Sequence, residues 1–317
     1  MRSLIRNLLV IIGLILFTGC QGSIKPINVW NMNQRIISAS VDESSNSIAV
    51  LLEDRVRLVS LSDANSIKEF LNLEIKHPHK IIMHKNYCWI GGGIHQAGFL
   101  MKLNTNDGSF LKQDKVNFSE VWTIALSNQS DFLATGHGDG EIILWNKDTM
   151  VKKDSFGDYD TEIFELLLSA NNKKLFSGDG HEIIKQWDLA ERKAMYSNSA
   201  DIYTLAIESE KHQMIGGNGH GTLYFFNPDN LSIIKKVDLK KEAILDCDIQ
   251  NTTGHIICGL TKGYIVLLNN DGVVLKTQKL HSDGIIFVKF IDNGEKMISA
   301  SYDGSIKLWE TNWLFSH

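Results

Sequence analysis

The sequence predicts an all-β protein built from seven similar antiparallel sheets of four strands each. Three observations predict this fold. One unit recurs seven times, at steps of 39 to 44 residues. Each unit contains short apolar strands separated by turns rich in Gly, Asp and Asn, which is typical of repeated antiparallel sheets. Many of these strands are apolar at nearly every position, which indicates that both faces of each sheet are buried against neighbouring sheets.

The repeat is clearest in the third strand of each unit. In the third unit this strand reads EIILWN, and the other strands read VWTIALS, FLATG and MVKKDSF, with NQSD and HGDG as turns. A fixed period of this length indicates an array in which each unit buries its faces against the next. The third strands end at Val59, Leu103, Trp145, Trp187, Phe226, Leu268 and Trp309.

A tight Asp-Gly turn before a strand ending in Trp-Asp resembles the WD40 repeat, which forms the blade of a β-propeller. The Trp-Asp pair is kept at Trp187 and Asp188, and two further units have Trp followed by Asn or Glu. The resemblance covers residues 27–317. It implies one domain, a seven-bladed WD40-like β-propeller with four-stranded antiparallel blades.

The last unit also resembles the family in its polar residues. In WD40 repeats a His, a Ser or Thr, an Asp and a Trp form a hydrogen-bonded set inside one blade, because polar groups partly buried at a tight turn need partners. The resemblance implies a structural role for the equivalent residues here, which are His281, Ser299, Asp303 and Trp309.

The third unit has the same set except for its histidine. It keeps Thr135, Asp139 and Trp145 but has Asn117 where His281 aligns. We therefore interpret Asp139 as a residue that shapes its turn and not as a catalytic acid.

Four consecutive units have a histidine in the turn before the third strand: His95, His137, His181 and His220. In propellers that this sequence resembles, these turns lie on one rim, so the resemblance implies that the four residues form an arc there. The alternative is that a small polar side chain is simply tolerated in an exposed Gly-rich turn. A metal ion requires three or four ligands that converge at about 2 Å. Equivalent turns of adjacent sheets are about 10 Å apart, so no metal site is predicted.

Aromatic residues stand near the same rim. Trp122, Phe164 and Tyr203 each follow the first apolar position of an opening strand. Exposed aromatic residues beside polar turns are typical of binding hot spots, although packing between blades is an alternative role for them. The predicted partner-binding residues are Trp122, Phe164, Tyr203, His137, His181 and His220.

A closed ring requires the last sheet to be completed, since an open sheet edge would remain otherwise. Residues 27–32, INVWNM, are predicted to supply the outer strand of the last blade. Residues 313–317 are the alternative source of this strand.

The first residues differ from the repeats. Arg2 and Arg6 precede the apolar run at 8–17, and Thr18 and Gly19 precede Cys20. The run is short for a membrane span, which needs about 20 apolar residues. It resembles a bacterial lipoprotein signal, which implies a signal peptide at 1–19, lipid on Cys20, a tether at 20–26 and a periplasm-facing protein. Gln21 resembles the outer-membrane class, and an ordinary cleaved signal is the alternative.

Composition disfavours several functions. The net charge is −5 and the Lys and Arg residues are scattered, which argues against nucleic acid as a partner. Cys88, Cys247 and Cys258 have apolar neighbours and are predicted to be buried thiols, with a bridge between the last two as the alternative. No CxxC, phosphate-loop or hydrolase motif occurs. We therefore predict no catalysis and no cofactor.

The sequence analysis leads to the hypothesis of a lipid-anchored scaffold that mediates protein–protein interactions in the bacterial cell envelope. Two alternatives remain. One is an accessory or maturation factor for a periplasmic, reductase-type enzyme, or a component of outer-membrane protein assembly. The other is an enzyme or ligand binder that uses the central channel of the propeller.

Overall fold

The computed structural model describes residues 24–95, 97–116, 119–157, 160–208, 213–239 and 242–315. The predicted signal peptide, Cys20 and the first part of the tether lie outside the described residues, so these assignments stay predictions. None of the helices in the described ranges has the length and apolar character needed to cross a membrane.

Seven four-stranded antiparallel sheets make up the described chain, which confirms the predicted seven-bladed propeller. In chain order the first three blades contain strands β2 (Ser38–Asp42), β3 (Ser47–Leu51), β4 (Val56–Ser60) and β5 (Ile67–Phe70); β6 (Pro78–His84), β7 (Tyr87–Ile94), β8 (Ala97–Asn104) and β9 (Phe110–Asp114); and β10 (Val121–Leu126), β11 (Phe132–His137), β12 (Ile142–Asn146) and β13 (Lys152–Phe156).

The remaining blades follow the same order, and the seventh takes its outer strand, β1 (Asn28–Asn31), from the N-terminal side. Their strands are β14 (Ile163–Leu168), β15 (Lys174–Asp179), β16 (Ile183–Asp188) and β17 (Lys193–Ser199); β18 (Thr204–Glu208), β19 (Gln213–Gly217), β20 (Thr222–Phe226) and β21 (Ile233–Asp238); β22 (Ile244–Ile249), β23 (Ile256–Leu260), β24 (Tyr264–Leu268) and β25 (Val274–Lys279); and β26 (Ile285–Ile291), β27 (Lys296–Ser301) and β28 (Ser305–Glu310).

The first strand of each blade faces the centre. These strands contact one another in the closed order β2, β6, β10, β14, β18, β22, β26 and back to β2. Side chains of one inner strand bind the backbone of the next: Ser40 Oγ accepts from Met83 N–H at 2.9 Å, and Asp248 accepts from Phe290 N–H at 2.8 Å. These bonds link neighbouring blades around the axis.

The hydrophobic core lies between the blades. Seven apolar clusters are present in the described chain, and each combines residues of two adjacent blades. In one of them Trp30 and Ile306 of blade 7 pack with Ile48 and Val50 of blade 1. This arrangement explains why the strands are apolar at nearly every position: each sheet packs against a neighbouring blade on both faces, and water is excluded from both.

The ring is closed by β1, as predicted from INVWNM. This strand pairs antiparallel with β28, with Trp30 opposite Ile306. The alternative, an outer strand from 313–317, is wrong for the described part of that segment, because Asn312–Phe315 forms a short helix, α1.

The three cysteines beyond Cys20 are buried free thiols. Cys247 and Cys258 lie directly opposite each other in the pair formed by β22 and β23. Burial raises the pKa of all three thiols above the ordinary value, which disfavours the reactive thiolate.

Candidate partner-binding rim

One end of the propeller carries the predicted partner-binding residues. The segment entering each first strand and the turn between the second and third strands lie at the same end, since Val121 at the start of β10 pairs with His137 at the end of β11. In blade 3 these segments include residues 119–121 and 138–141. We call this end of the molecule the rim face.

Five of the inner strands begin with an irregularity that orients one side chain toward this face. The pairing skips one residue, for example between Val121 and Thr123 in β10 and between Ile163 and Glu165 in β14. A bulge of this kind redirects the side chain of the unpaired residue. The skipped residues are His79, Trp122, Phe164, Leu245 and Ile286.

The aromatic rings form one continuous row across blades 2 to 5. The ring of His79 stacks on Trp122 with centroids 4.2 Å apart, and Trp122 meets Phe164 edge to face at 5.9 Å. Phe164 meets Tyr203 edge to face at 6.1 Å. Sequence reasoning missed His79, although it occupies the same position of its blade as the other three residues.

The row both packs internally and faces solvent. Tyr203 is 44% exposed, and Trp122 and Phe164 are partly exposed. A Cβ atom on Gly219 would lie 2.9 Å from the Tyr203 ring, so only glycine lets this ring lie against the turn. These residues can therefore pack between blades and still offer a surface for recognition.

The histidines do not form the predicted arc of four. His95 and His181 are exposed, with His181 Nδ1 3.1 Å from an Asp160 carboxylate oxygen, and His220 is exposed. His137 is 0% exposed, so the prediction that it is an exposed rim residue is wrong. Among the described residues, on this rim and elsewhere, no group of three His, Cys, Asp or Glu residues is placed to hold a metal ion.

His137 instead belongs to a buried hydrogen-bonded set. Its Nε2 lies 2.8 Å from Thr135 Oγ1, and Trp145 Nε1–H donates to the same hydroxyl oxygen at 2.8 Å. Burial lowers the pKa of His137 to about 4, so the imidazole is neutral at pH 7. His137 therefore supplies the imidazole that the segment containing Asn117 lacks, and it does so from the end of a strand.

Blade 7 shows the arrangement that its sequence resembles. Trp309 Nε1–H donates to Ser299 Oγ at 3.0 Å, and Ser299 Oγ lies 2.8 Å from His281 Nε2. His281 Nδ1 lies 3.1 Å from the Asp303 carboxylate. Burial acts to raise the pKa of Asp303, but hydrogen bonds from His281 and Ser305 hold it well below its usual range. The four residues thus form one chain of donors and acceptors.

Replacing His137 with alanine is expected to destabilise the protein. The change empties a buried site and removes one of the hydrogen-bond partners of the Thr135 hydroxyl, so we expect the free energy of unfolding to fall by about 1 to 3 kcal/mol. Urea denaturation measures this change. His181→Ala is the matched control on an exposed side chain and is expected to change stability by less than about 0.5 kcal/mol. Equal effects of the two substitutions would contradict the buried role of His137.

The central channel holds charged groups that sequence reasoning missed. A cavity of about 290 Å³ is lined by inner-strand residues that include Lys80, Glu165 and Asp246. Lys80 Nζ lies 3.7 Å from a Glu165 carboxylate oxygen, and the charge of Glu165 raises the pKa of Lys80. The signal for these residues is a charge inside an otherwise apolar opening strand, as in IFELLL.

Two parts of the chain match a known family. Residues 109–146 and 272–310 match the WD domain, G-beta repeat. Each segment contains the outer strand of one blade, β9 or β25, followed by the first three strands of the next, which is blade 3 or blade 7. The match supports the WD40 resemblance that was inferred from the repeat.

Two eukaryotic relatives of this chain are named as WD-repeat proteins. The chain is 23% identical to WD repeat-containing protein srw1 of Schizosaccharomyces pombe over 70% of this chain and 42% of that protein. It is 23% identical to WD repeat-containing protein 55 of Bos taurus over 56% of this chain and 48% of that protein. The chain therefore spans less than half the length of these relatives.

A solved structure shows the same fold over almost the whole chain. A chain in the Crystal Structure of Mitotic Checkpoint Complex superposes with a TM-score of 0.79 and 14% sequence identity, covering 98% of both chains. At this identity the similarity concerns the fold. WD40 propellers typically bind protein partners and are generally scaffolds without catalysis, which the family match suggests for this chain.

Proposed function

We propose that this chain is a protein-interaction scaffold of the bacterial cell envelope, which docks its partner on the rim face of blades 3 to 5. The observation that carries the proposal is the partly exposed row of Trp122, Phe164 and Tyr203. Aromatic side chains on a rigid framework lose little conformational entropy on binding and bury a large area. The WD-repeat relatives and the neighbour of similar fold from a multiprotein complex support the general class of function.

The proposal includes a lipid on Cys20 that holds the propeller at the periplasmic side of the outer membrane. Its support is the sequence of residues 1–20, in which a basic start, a short apolar run and small residues precede the cysteine. Because β1 begins at Asn28, a tether from Cys20 to the propeller would be short. The propeller would then lie close to a membrane surface.

Replacing Trp122, Phe164 and Tyr203 together with alanine is expected to abolish capture of the partner. Crosslinking in the native envelope, followed by mass spectrometry, compares the unmodified chain with this variant. Since single hot-spot truncations cost at least about 2 kcal/mol, we expect recovery to fall by more than about tenfold. Circular dichroism checks that the variant stays folded.

The control for capture is a triple substitution on the opposite end of the propeller: Asp131→Asn, Asp148→Asn and Asp229→Asn. Unchanged recovery by the alanine variant would defeat the rim proposal.

In the same cells, Cys20→Ala is expected to move the chain from the membrane fraction to the soluble fraction, and retention in the membrane fraction would defeat the proposed anchor. The identity of the captured protein distinguishes the accessory roles. An oxidoreductase would support the maturation role, and an outer-membrane assembly component would support the assembly role.

A further inference from the structure

A three-residue unit recurs on the rim face of three consecutive blades and in no other blade. It consists of an acidic residue, a buried aliphatic residue and an aromatic residue. The other four blades have Arg35 and Ile37, His77 and His79, Ala243 and Leu245, or Gly284 and Ile286 at the outer two positions. The three units are Glu120-Val121-Trp122, Glu162-Ile163-Phe164 and Asp201-Ile202-Tyr203.

Each unit places a carboxylate and a ring against one turn; in blade 5 the backbone of Gly219 hydrogen-bonds the Asp201 carboxylate, and a Cβ atom on Gly219 would lie 2.9 Å from the Tyr203 ring. The middle residue is 0% exposed in all three blades, so it anchors the unit between the sheets. In blade 3 a Cβ atom on Gly138 would lie 3.1 Å from Trp122 Nε1 and 3.2 Å from the carboxylate carbon of Glu120. In blade 4 a Cβ atom on Gly180 would lie 2.9 Å from Glu162 Oε2 and 3.4 Å from the Phe164 ring. Carboxylate and ring therefore share the surface of one turn.

The surroundings of the three units are negatively charged. In the described rim segments of blades 3 to 5, Lys115 is the sole Lys or Arg. Burial and the nearby Glu182 carboxylate raise the pKa of Asp201, which indicates that negative charges crowd this part of the face. The same segments also contain the acids Asp139, Glu141, Asp160 and Glu182, of which Glu141 is paired with Lys152 of β13 at 3.3 Å.

We propose that the three units bind a basic, extended segment of the partner protein. A guanidinium or ammonium group gains from the negative face of an aromatic ring and from an adjacent carboxylate at once. The ring centroids are 5.9 Å and 6.1 Å apart, close to the spacing of about 6.6 Å between alternate residues of an extended chain. Arg or Lys at alternate positions would therefore meet successive units. This inference rests on the proposed function, since it names the chemistry of the partner.

A direct binding measurement tests the inference. The probe is a fluorescein-labelled peptide that alternates glycine with three arginines, and its anisotropy is followed on titration with the full chain. We expect binding that weakens about tenfold or more when Glu120→Gln, Glu162→Gln and Asp201→Asn are combined, and likewise when the three rings become alanine. A peptide with glutamate in place of arginine is expected not to bind.

The matched control is again the triple variant Asp131→Asn, Asp148→Asn and Asp229→Asn, which changes the net charge equally at the other end of the propeller. It is expected to bind the peptide within about twofold of the unmodified chain. Equal weakening by this control, or no weakening by the alanine variant, would overturn the inference, because general charge attraction would then explain the binding. If the peptide does not bind but the alanine variant loses its captured partner, the inference fails and the proposed function stands.

Discussion

Replacing Trp30 with alanine is expected to lower the free energy of unfolding by about 3 to 5 kcal/mol. Trp30 is 2% exposed and belongs to the cluster that joins blade 7 to blade 1. Its strand, β1, also supplies the outer edge of blade 7 through its pairing with β28. The substitution thus removes a large buried side chain at the point where the ring closes, and both the local core and the closure weaken.

Chemical denaturation measures this change, and hydrogen exchange shows where it acts. Amide protons of β1 and β28 are expected to lose protection first, because local opening follows the weakest contacts. Val29→Ala is the matched control, since Val29 lies in the same strand and is 46% exposed. It is expected to change stability by less than about 0.5 kcal/mol. A loss below about 1 kcal/mol for Trp30→Ala, with unchanged exchange of β1, would show that this strand does not close the ring.

Replacing Asp246 with asparagine is expected to stabilise the protein at pH 8 and to have little effect at pH 4. Asp246 lies at the channel, where Oδ2 accepts from Val288 N–H at 2.8 Å and Oδ1 accepts from Thr204 Oγ1–H at 3.2 Å. Burial raises the pKa of this carboxyl to about 7. The hydrogen bond from Val288 N–H and the charge of Lys80 act in the opposite direction.

The direction of the pH effect follows from proton binding. The pKa of Asp246 is about 7 in the folded protein and 3.8 as the ordinary value. Between these values the folded state binds more protons than the unfolded state, so this group lowers stability as the pH rises from about 4 to 7. The full shift corresponds to about 4 kcal/mol, and partial solvation of the carboxylate reduces it to about 2 to 4 kcal/mol. Asparagine keeps an acceptor for Val288 N–H and has no charge to desolvate.

Urea denaturation of both proteins at pH 5 and pH 8 measures this difference. The stability gain from Asp246→Asn is expected to be larger at pH 8 than at pH 5. Asp229→Asn, on an exposed side chain, is expected to give the same small difference at both pH values. Parallel pH dependence for the unmodified chain and Asp246→Asn would contradict the raised pKa.

The fold could be predicted because its signals are local and repeated. Short apolar strands separated by turns recur seven times at a nearly constant spacing, and each repeat predicts the same four-stranded sheet. The source of the closing strand was also predictable, because INVWNM lies outside the seven units and the last unit lacks an outer strand. These features depend on the order of residues along the chain.

The rim was predicted only in part. Trp122, Phe164 and Tyr203 occupy one position of the repeat, so their common end of the molecule follows from the sequence. In the sequence, His137 lies near the same turn of its repeat as the exposed histidines do in theirs. In the structure its ring is buried inside the blade and hydrogen-bonds Thr135. The difference lies in the register: His137 is the last residue of β11, opposite Val121, whereas His181 lies two residues beyond Asp179, which is the equivalent end of β15.

The sequence by itself determined the number of blades, their strand order, the closing strand and the burial of most apolar residues, because short-range periodicity and turn chemistry specify each sheet. The three-dimensional packing decided which side chains meet across blades: Lys80 with Glu165 in the channel, and Phe164 with Tyr203 on the rim face. These pairs are separated by one or two whole repeats. Their contact arises when the ring closes, and the pattern within a single repeat contains no information about it.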